Sequence, residues 1–143
     1  MKIRKLNIKS LFGTFDYELS FEHTNPFIIT GPNGYGKTTI LTIINSLSNK
    51  DLYYFYLLPF EEIRFEFDDD SRVVISSSEE SIEQSSSDLK LDKYRTVVFE
   101  WFNDNSLISK IVLNRKNIEK SVRQLGYYRR FPIDTTNYHS DIF

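Results

Sequence analysis

The chain contains no cysteine. Disulfides, thiolate nucleophiles and cysteine-based zinc sites are therefore excluded, which suits a reducing compartment. An excess of one charge is also lacking. Lysine and arginine total 18 against 20 acidic residues, a formal net charge of −2. That balance argues against a wholly basic nucleic-acid binder. The longest apolar run, residues 52–60, is far short of the roughly 20 residues needed to span a bilayer. Lys2, Arg4 and Lys5 are not followed by the apolar core of a signal peptide. The chain is expected to be soluble and cytoplasmic, with no membrane partner. His23 and His139 are isolated, so neither is assigned a metal or catalytic role. What is plentiful is apolar and aromatic surface, 40% and 15% of the 143 residues. This suffices for a single domain over 1–143 with a hydrophobic core.

Glycine is scarce, five in all, yet Gly31, Gly34 and Gly36 fall within six residues. They belong to Gly31-Pro32-Asn33-Gly34-Tyr35-Gly36-Lys37-Thr38, a full match to the phosphate-loop pattern G-x-x-x-x-G-K-[ST]. Phe27-Ile28-Ile29-Thr30 before it reads as a short buried strand. Ile40 to Leu47 after it has helical spacing of apolar residues. A nucleotide tail carries several negative charges in a small volume, so its binding needs many donors near one point. Glycines let the backbone curl with its N–H groups inward and let a phosphate approach closely. The helix adds unpaired N–H groups and the positive end of its dipole. Lys37 is expected to reach the β- and γ-phosphates and stabilise their charge. The Thr38 hydroxyl is expected to hold Mg²⁺, and Thr39 to reach the α-phosphate. ATP and Mg²⁺ are thus the expected cofactors.

Gly-Pro-Asn-Gly-x-Gly-Lys-Thr-Thr over residues 31–39 resembles the loop of ABC-type ATPase heads, especially the SMC-like, RecF-like and OLD-like branch of AAA-family P-loop ATPases. The likeness extends over about residues 1–75, with paired strands in 1–21 and antiparallel strands in 59–75. It implies an α/β, P-loop NTPase-like fold: the N-terminal part of a head, with a mixed sheet and an antiparallel β-subdomain. It further implies that Asn33 lies near the γ-phosphate, that the Phe12-Gly13 bend lies near the base, and that two heads close over ATP. The partner is then a second head, as a homodimer or another chain, in DNA transactions or phage defence. Tyr35 departs from the small residue common at its position.

Other parts of such a head are missing. Ser-Gly-Gly occurs nowhere, and after Gly36 the only glycine is Gly126. An ATPase of this kind also needs an apolar strand ending in Asp, followed by Glu, to support Mg²⁺ and polarise water. Ile63-Arg64-Phe65-Glu66-Phe67-Asp68 alternates apolar and charged, as a half-exposed antiparallel strand does. Thr96-Val97-Val98-Phe99-Glu100 has the apolar run but no Asp, and reads as a strand with a polar residue facing water. No catalytic residue is therefore assigned. The chain reads as a piece of a longer or split ATPase, with hydrolysis completed elsewhere. The alternatives are a non-hydrolysing nucleotide-binding regulatory module and a nucleic-acid-binding protein.

Strands are expected at 2–9 and 14–21 around the Gly13 bend. A helix is expected at about 37–48, packing Ile40, Leu41, Ile43, Ile44 and Leu47 on a sheet. The aromatic stretch 52–60 reads as a buried connection. Hairpins are expected at 62–67 with 72–76, across Asp68-Asp69-Asp70, and at 94–102 with 107–113. The three aspartates read as a solvated turn, because adjacent strand side chains do not converge. Residues 76–88 hold seven serines and four acids, the composition of a flexible loop. A helix is expected at 114–125, ended by Gly126. Residues 110–130 carry Lys110, Arg115, Lys116, Lys120, Arg123, Arg129 and Arg130 against Glu119, with Tyr127 and Tyr128 among them. Basic and aromatic residues so mixed can hold a nucleic-acid backbone and stack on bases. A solvated helix face is the plainer reading, given the overall charge balance.

Overall fold

The computed structural model of the chain describes residues 2–21, 28–81 and 93–118. Strands β1 (Ile3–Leu11), β2 (Phe15–Ser20), β3 (Glu62–Phe67), β4 (Ser71–Ser81), β5 (Lys93–Asn103) and β6 (Ser106–Asn114) form one sheet. Their order is β2-β1-β3-β4-β5-β6, and every pairing is antiparallel. Helices α1 (Lys37–Ser48) and α2 (Leu52–Leu57) lie between β2 and β3 in sequence.

Alternation of side chains divides the sheet into two faces. Leu6, Phe65 and Val73 are register partners in turn, as are Ile8, Ile63, Ile75 and Phe99. These residues join Ile40, Ile43 and Leu47 of α1 and Leu52 and Phe55 of α2 in one core. Phe55 is fully buried and meets Phe99 edge-on, ring centroids 5.6 Å apart at 87°. Arg95 closes the far end of α2: its guanidinium donates to the Leu58 carbonyl and lies 5.5 Å over the Phe60 ring. Burial lowers its pKa.

The opposite face is a ladder of mixed charge. Lys5 pairs with Glu18 at 2.5 Å, Arg64 with Glu62 at 2.9 Å and Lys110 with Glu100 at 3.1 Å. One covered and one solvated face is the usual arrangement of an antiparallel sheet.

The fold expectation is corrected here. No mixed sheet forms among the described residues, so the α/β, P-loop NTPase-like class gives way to an antiparallel sheet with two helices on one face. Short turns at 12–14, 68–70 and 104–105 join β1 to β2, β3 to β4 and β5 to β6. Direct turns of this length permit only antiparallel neighbours. The one crossover through α1 and α2 delivers β3 beside β1 running the opposite way. The expected strand before the glycine loop does not form either. Residues 28–30 pair with none of the described strands, and Ile28 is 74% exposed; Phe27 lies outside the described residues.

The helix expected at 37–48 forms with those bounds, but Leu41 leaves its packed face and is 57% exposed. At 100° per residue it stands off the stripe set by Ile40, Ile43 and Leu47. Residues 52–57, expected as a connection, make a short helix. Part of the expected serine loop is strand, because β4 runs to Ser81 and Ser76, Ser77 and Ser78 pair with Val98, Val97 and Thr96. Main-chain pairing needs no apolar side chain, so composition alone misleads there. Residues 82–88 lie outside the described residues.

Candidate functional site

Residues 31–39 connect the unpaired segment 28–30 to α1. Gly36 occupies the N-cap position in left-handed conformation, φ 77°, and no side chain caps the helix. Gly34 is also left-handed, φ 86°. A side chain would strain both positions. α1 has no acidic residue in its first turn, so nothing there neutralises the positive end of its dipole. The first main-chain bond into the helix is Ile40 N–H to Gly36 C=O at 2.8 Å. Among the described residues, the N–H groups of Asn33, Gly34, Tyr35, Gly36, Lys37, Thr38 and Thr39 donate to no protein acceptor outside the helix's own ladder. A helix start leaves such donors unmatched unless a side chain, water or ligand takes them.

Lys37 bends back over this curl. Its Nζ donates to the Gly31 and Pro32 carbonyls, 2.6 Å each. The ammonium thus closes a ring of main chain from Gly31 to Lys37. Thr38 and Thr39 make no side-chain hydrogen bond among the described residues; Thr38 C=O accepts from Thr42 Oγ1 at 2.8 Å. The expected site residues Gly31, Asn33, Gly34, Tyr35, Gly36, Lys37, Thr38 and Thr39 are therefore contiguous, largely exposed and open to solvent.

The hairpin of β1 and β2 forms the floor. A Cβ on Gly36 would stand 3.3 Å from the Tyr17 hydroxyl and 3.5 Å from Leu11 Cδ2. Tyr17 donates its hydroxyl hydrogen to the Tyr35 carbonyl. The Tyr35 ring lies 5.9 Å from Phe15, and Phe15 stacks 6.2 Å from Tyr17. Phe15 and Tyr17 carry no motif, so sequence reasoning overlooked them. The available signal was the alternation Phe15, Tyr17, Leu19, which puts all three on the helix side of β2.

The bend before β2 is firmly built. Ser10 and Phe12 are left-handed at φ 53°, as is Gly13 at φ 74°. Ser10 N–H donates to Asp16 Oδ1 at 2.7 Å, and Phe12 N–H to the Pro59 carbonyl at 2.8 Å. Ser10 Oγ donates to Glu61 Oε2 at 3.2 Å, and Lys9 Nζ donates to the same carboxylate. The Lys9 hydrogen bond holds the Glu61 carboxyl below the ordinary glutamate range, and Glu61 raises Lys9 in return.

No carboxylate forms a hydrogen bond or ion pair with Lys37, Thr38 or Thr39 among the described residues. Glu100 is register partner of Val74 and Lys110, on the face turned away from α1, and its carboxylate is bound to Lys110. Glu66 pairs with Arg4 at 3.8 Å. Each aspartate of the 68–70 turn has its own partner: Asp68 takes the Lys2 N–H, Asp69 takes Ser71, and Asp70 meets Arg4. Their side chains do not converge, and no cluster of three metal-ligating residues occurs among the described residues.

The basic stretch is only partly in view. Lys110 is engaged by Glu100. Asn114 Oδ1 accepts the Asn117 N–H at 3.0 Å, an N-cap bond for the helical turn at 115–118. Lys120, Arg123, Tyr127, Tyr128, Arg129 and Arg130 lie outside the described residues, as do His23 and His139. No helix among the described residues is long and apolar enough to cross a membrane.

No protein-family model matches the chain, and no curated protein matches it either. The likeness to ABC-type heads therefore rests on the residues that carry it, chiefly 31–39.

Proposed function

We propose that residues 31–39 bind the triphosphate of ATP together with Mg²⁺, and that the chain serves as the nucleotide-binding part of an SMC-like ATPase system. The observation that carries this reading is the run of amides from Asn33 to Thr39 that find no acceptor among the described residues, at an uncapped, acid-free helix start. An anion is the complement such a site lacks.

Lys37 exchanges the Gly31 and Pro32 carbonyls for oxygens of the β- and γ-phosphates. Both sets of contacts are charge-assisted, but phosphate brings a full opposite charge to the ammonium. Until then the two carbonyl bonds keep the loop curled, so little ordering is left for binding to supply. The Thr38 hydroxyl is placed at the first helical turn, where it can hold Mg²⁺. The ion, when bound, offsets phosphate charge. The residues present fit the pair: open backbone donors, one cation and one hydroxyl.

Hydrolysis is a separate matter. Among the described residues no carboxylate bonds to Lys37, Thr38 or Thr39, and in this reading the group that orients attacking water is supplied by a second chain or by residues beyond those described. This favours a chain that binds nucleotide and turns it over only when completed.

Calorimetric titration of the full chain with ATP and Mg²⁺ tests the reading. The wild-type chain is expected to bind, and Lys37→Ala to lose about tenfold to a hundredfold in affinity, since a charge-assisted contact is worth roughly 1.5–3 kcal/mol. Equal affinity in the two proteins refutes it.

A further inference from the structure

We propose that Tyr17 is a positioning residue of the phosphate loop, acting through the Tyr35 carbonyl; this rests on the reading of residues 31–39 as a phosphate site. Tyr17 sits in β2 opposite Ile8 of β1 and is half-buried beneath the loop. Its hydroxyl binds the carbonyl of Tyr35, and its oxygen lies against the backbone of Gly36.

The consequence follows from the peptide plane. In a trans peptide the C=O and the following N–H point in opposite directions. Drawing the Tyr35 carbonyl down onto the hairpin turns the Gly36 N–H up, away from the sheet, to the open side of the curl. Glycine at 36 leaves this peptide free to rotate, because no Cβ restrains it. Without the phenol the same peptide has two orientations, and in one of them a phosphate-facing donor becomes a carbonyl that repels the ligand. Phe15 supports the arrangement from the side by holding the Tyr35 ring, 5.9 Å away.

A loop competent only part of the time binds more weakly in proportion to that fraction. Losing one neutral hydrogen bond therefore lowers affinity by about fivefold to tenfold. The effect falls on the phosphates, not on the nucleoside.

The test compares wild-type and Tyr17→Phe chains in calorimetric titrations with ATP and, separately, with inorganic tripolyphosphate, both with Mg²⁺ and at a temperature where both proteins are folded. Affinity for the two ligands is expected to fall by the same factor. Unchanged affinity for both overturns the proposal, and so does a loss confined to ATP, which would place Tyr17 at the base. Absence of binding by the wild-type chain refutes the underlying phosphate-site reading instead. A second measurement needs no ligand: the ¹H–¹⁵N cross-peak of Gly36 in the free Tyr17→Phe protein is expected to shift or broaden. An unmoved cross-peak overturns the clasp even if affinity changes.

Discussion

Replacing Gly36 by alanine separates the cost of backbone conformation from the cost of contact. Gly36 is left-handed, φ 77°, and so is Gly13, φ 74°. An L-side chain pays about 1–2 kcal/mol for that conformation at either position. The surroundings differ. A Cβ at Gly13 meets nothing within 4 Å, whereas one at Gly36 stands 3.3 Å from the Tyr17 hydroxyl and 3.5 Å from Leu11 Cδ2. The contact with Tyr17 is too tight to leave the hydroxyl where it is. Moving it endangers the hydrogen bond to Tyr35, worth about 1 kcal/mol. Gly36→Ala is thus expected to cost about 2–3 kcal/mol and Gly13→Ala about 1–2 kcal/mol. The gain from stiffening the unfolded chain is common to both and cancels in the difference. Urea unfolding of the two variants measures that difference directly, with slopes compared to confirm the same transition. Equal losses would show that the hairpin does not press on the loop, and the account of its floor would be wrong.

Two further outcomes follow from the packing and the charges. Phe55→Ala, which empties the contact between α2 and β5, is expected to lower stability by about 3–5 kcal/mol, read by the same unfolding assay; a loss under about 1 kcal/mol would mean that α2 is not held by the sheet. Glu61 titrates below the ordinary glutamate range because Lys9 donates to it. Its contribution is present above the ordinary range and is lost as pH falls through the lowered value, since the unfolded chain then binds the proton more readily. Glu61→Gln is therefore expected to flatten the acid limb of the stability–pH curve, and the alkaline limb too because Lys9 loses the partner that raises it, with the neutral stretch between them parallel to wild type. An unchanged acid limb would contradict the pairing.

Much of the local structure was legible in the sequence. Strict alternation in Glu62–Phe67 and turn residues at 68–70 and 104–105 were enough for two hairpins, because period and turn chemistry are local signals. The spacing of Ile40, Ile43 and Leu47 was enough for α1. Topology was not legible. Ile28 and Ile29 look like a buried strand because they are apolar and β-branched, but a strand also needs neighbours, and none of the described strands lies beside them. Composition misjudged Ser76 to Ser81, which are held by main-chain pairing to β5. The expected phosphate loop at 31–39 stands out in the sequence because its chemistry is contiguous. Tyr17 does not stand out, because its contact with the Tyr35 carbonyl depends on a hairpin brought under the loop from 18 residues away. Only the fold creates that proximity.

The central claim is that the amides of residues 33–39 receive a triphosphate. Titrating ATP and Mg²⁺ into the ¹⁵N-labelled chain and following the backbone cross-peaks tests it most directly. The account predicts large, saturable shifts at Gly34, Gly36, Lys37 and Thr38, with those of Ile43 and Ile63 in the core left in place. Shifts confined to other parts of the chain, or none at millimolar ATP, would contradict it.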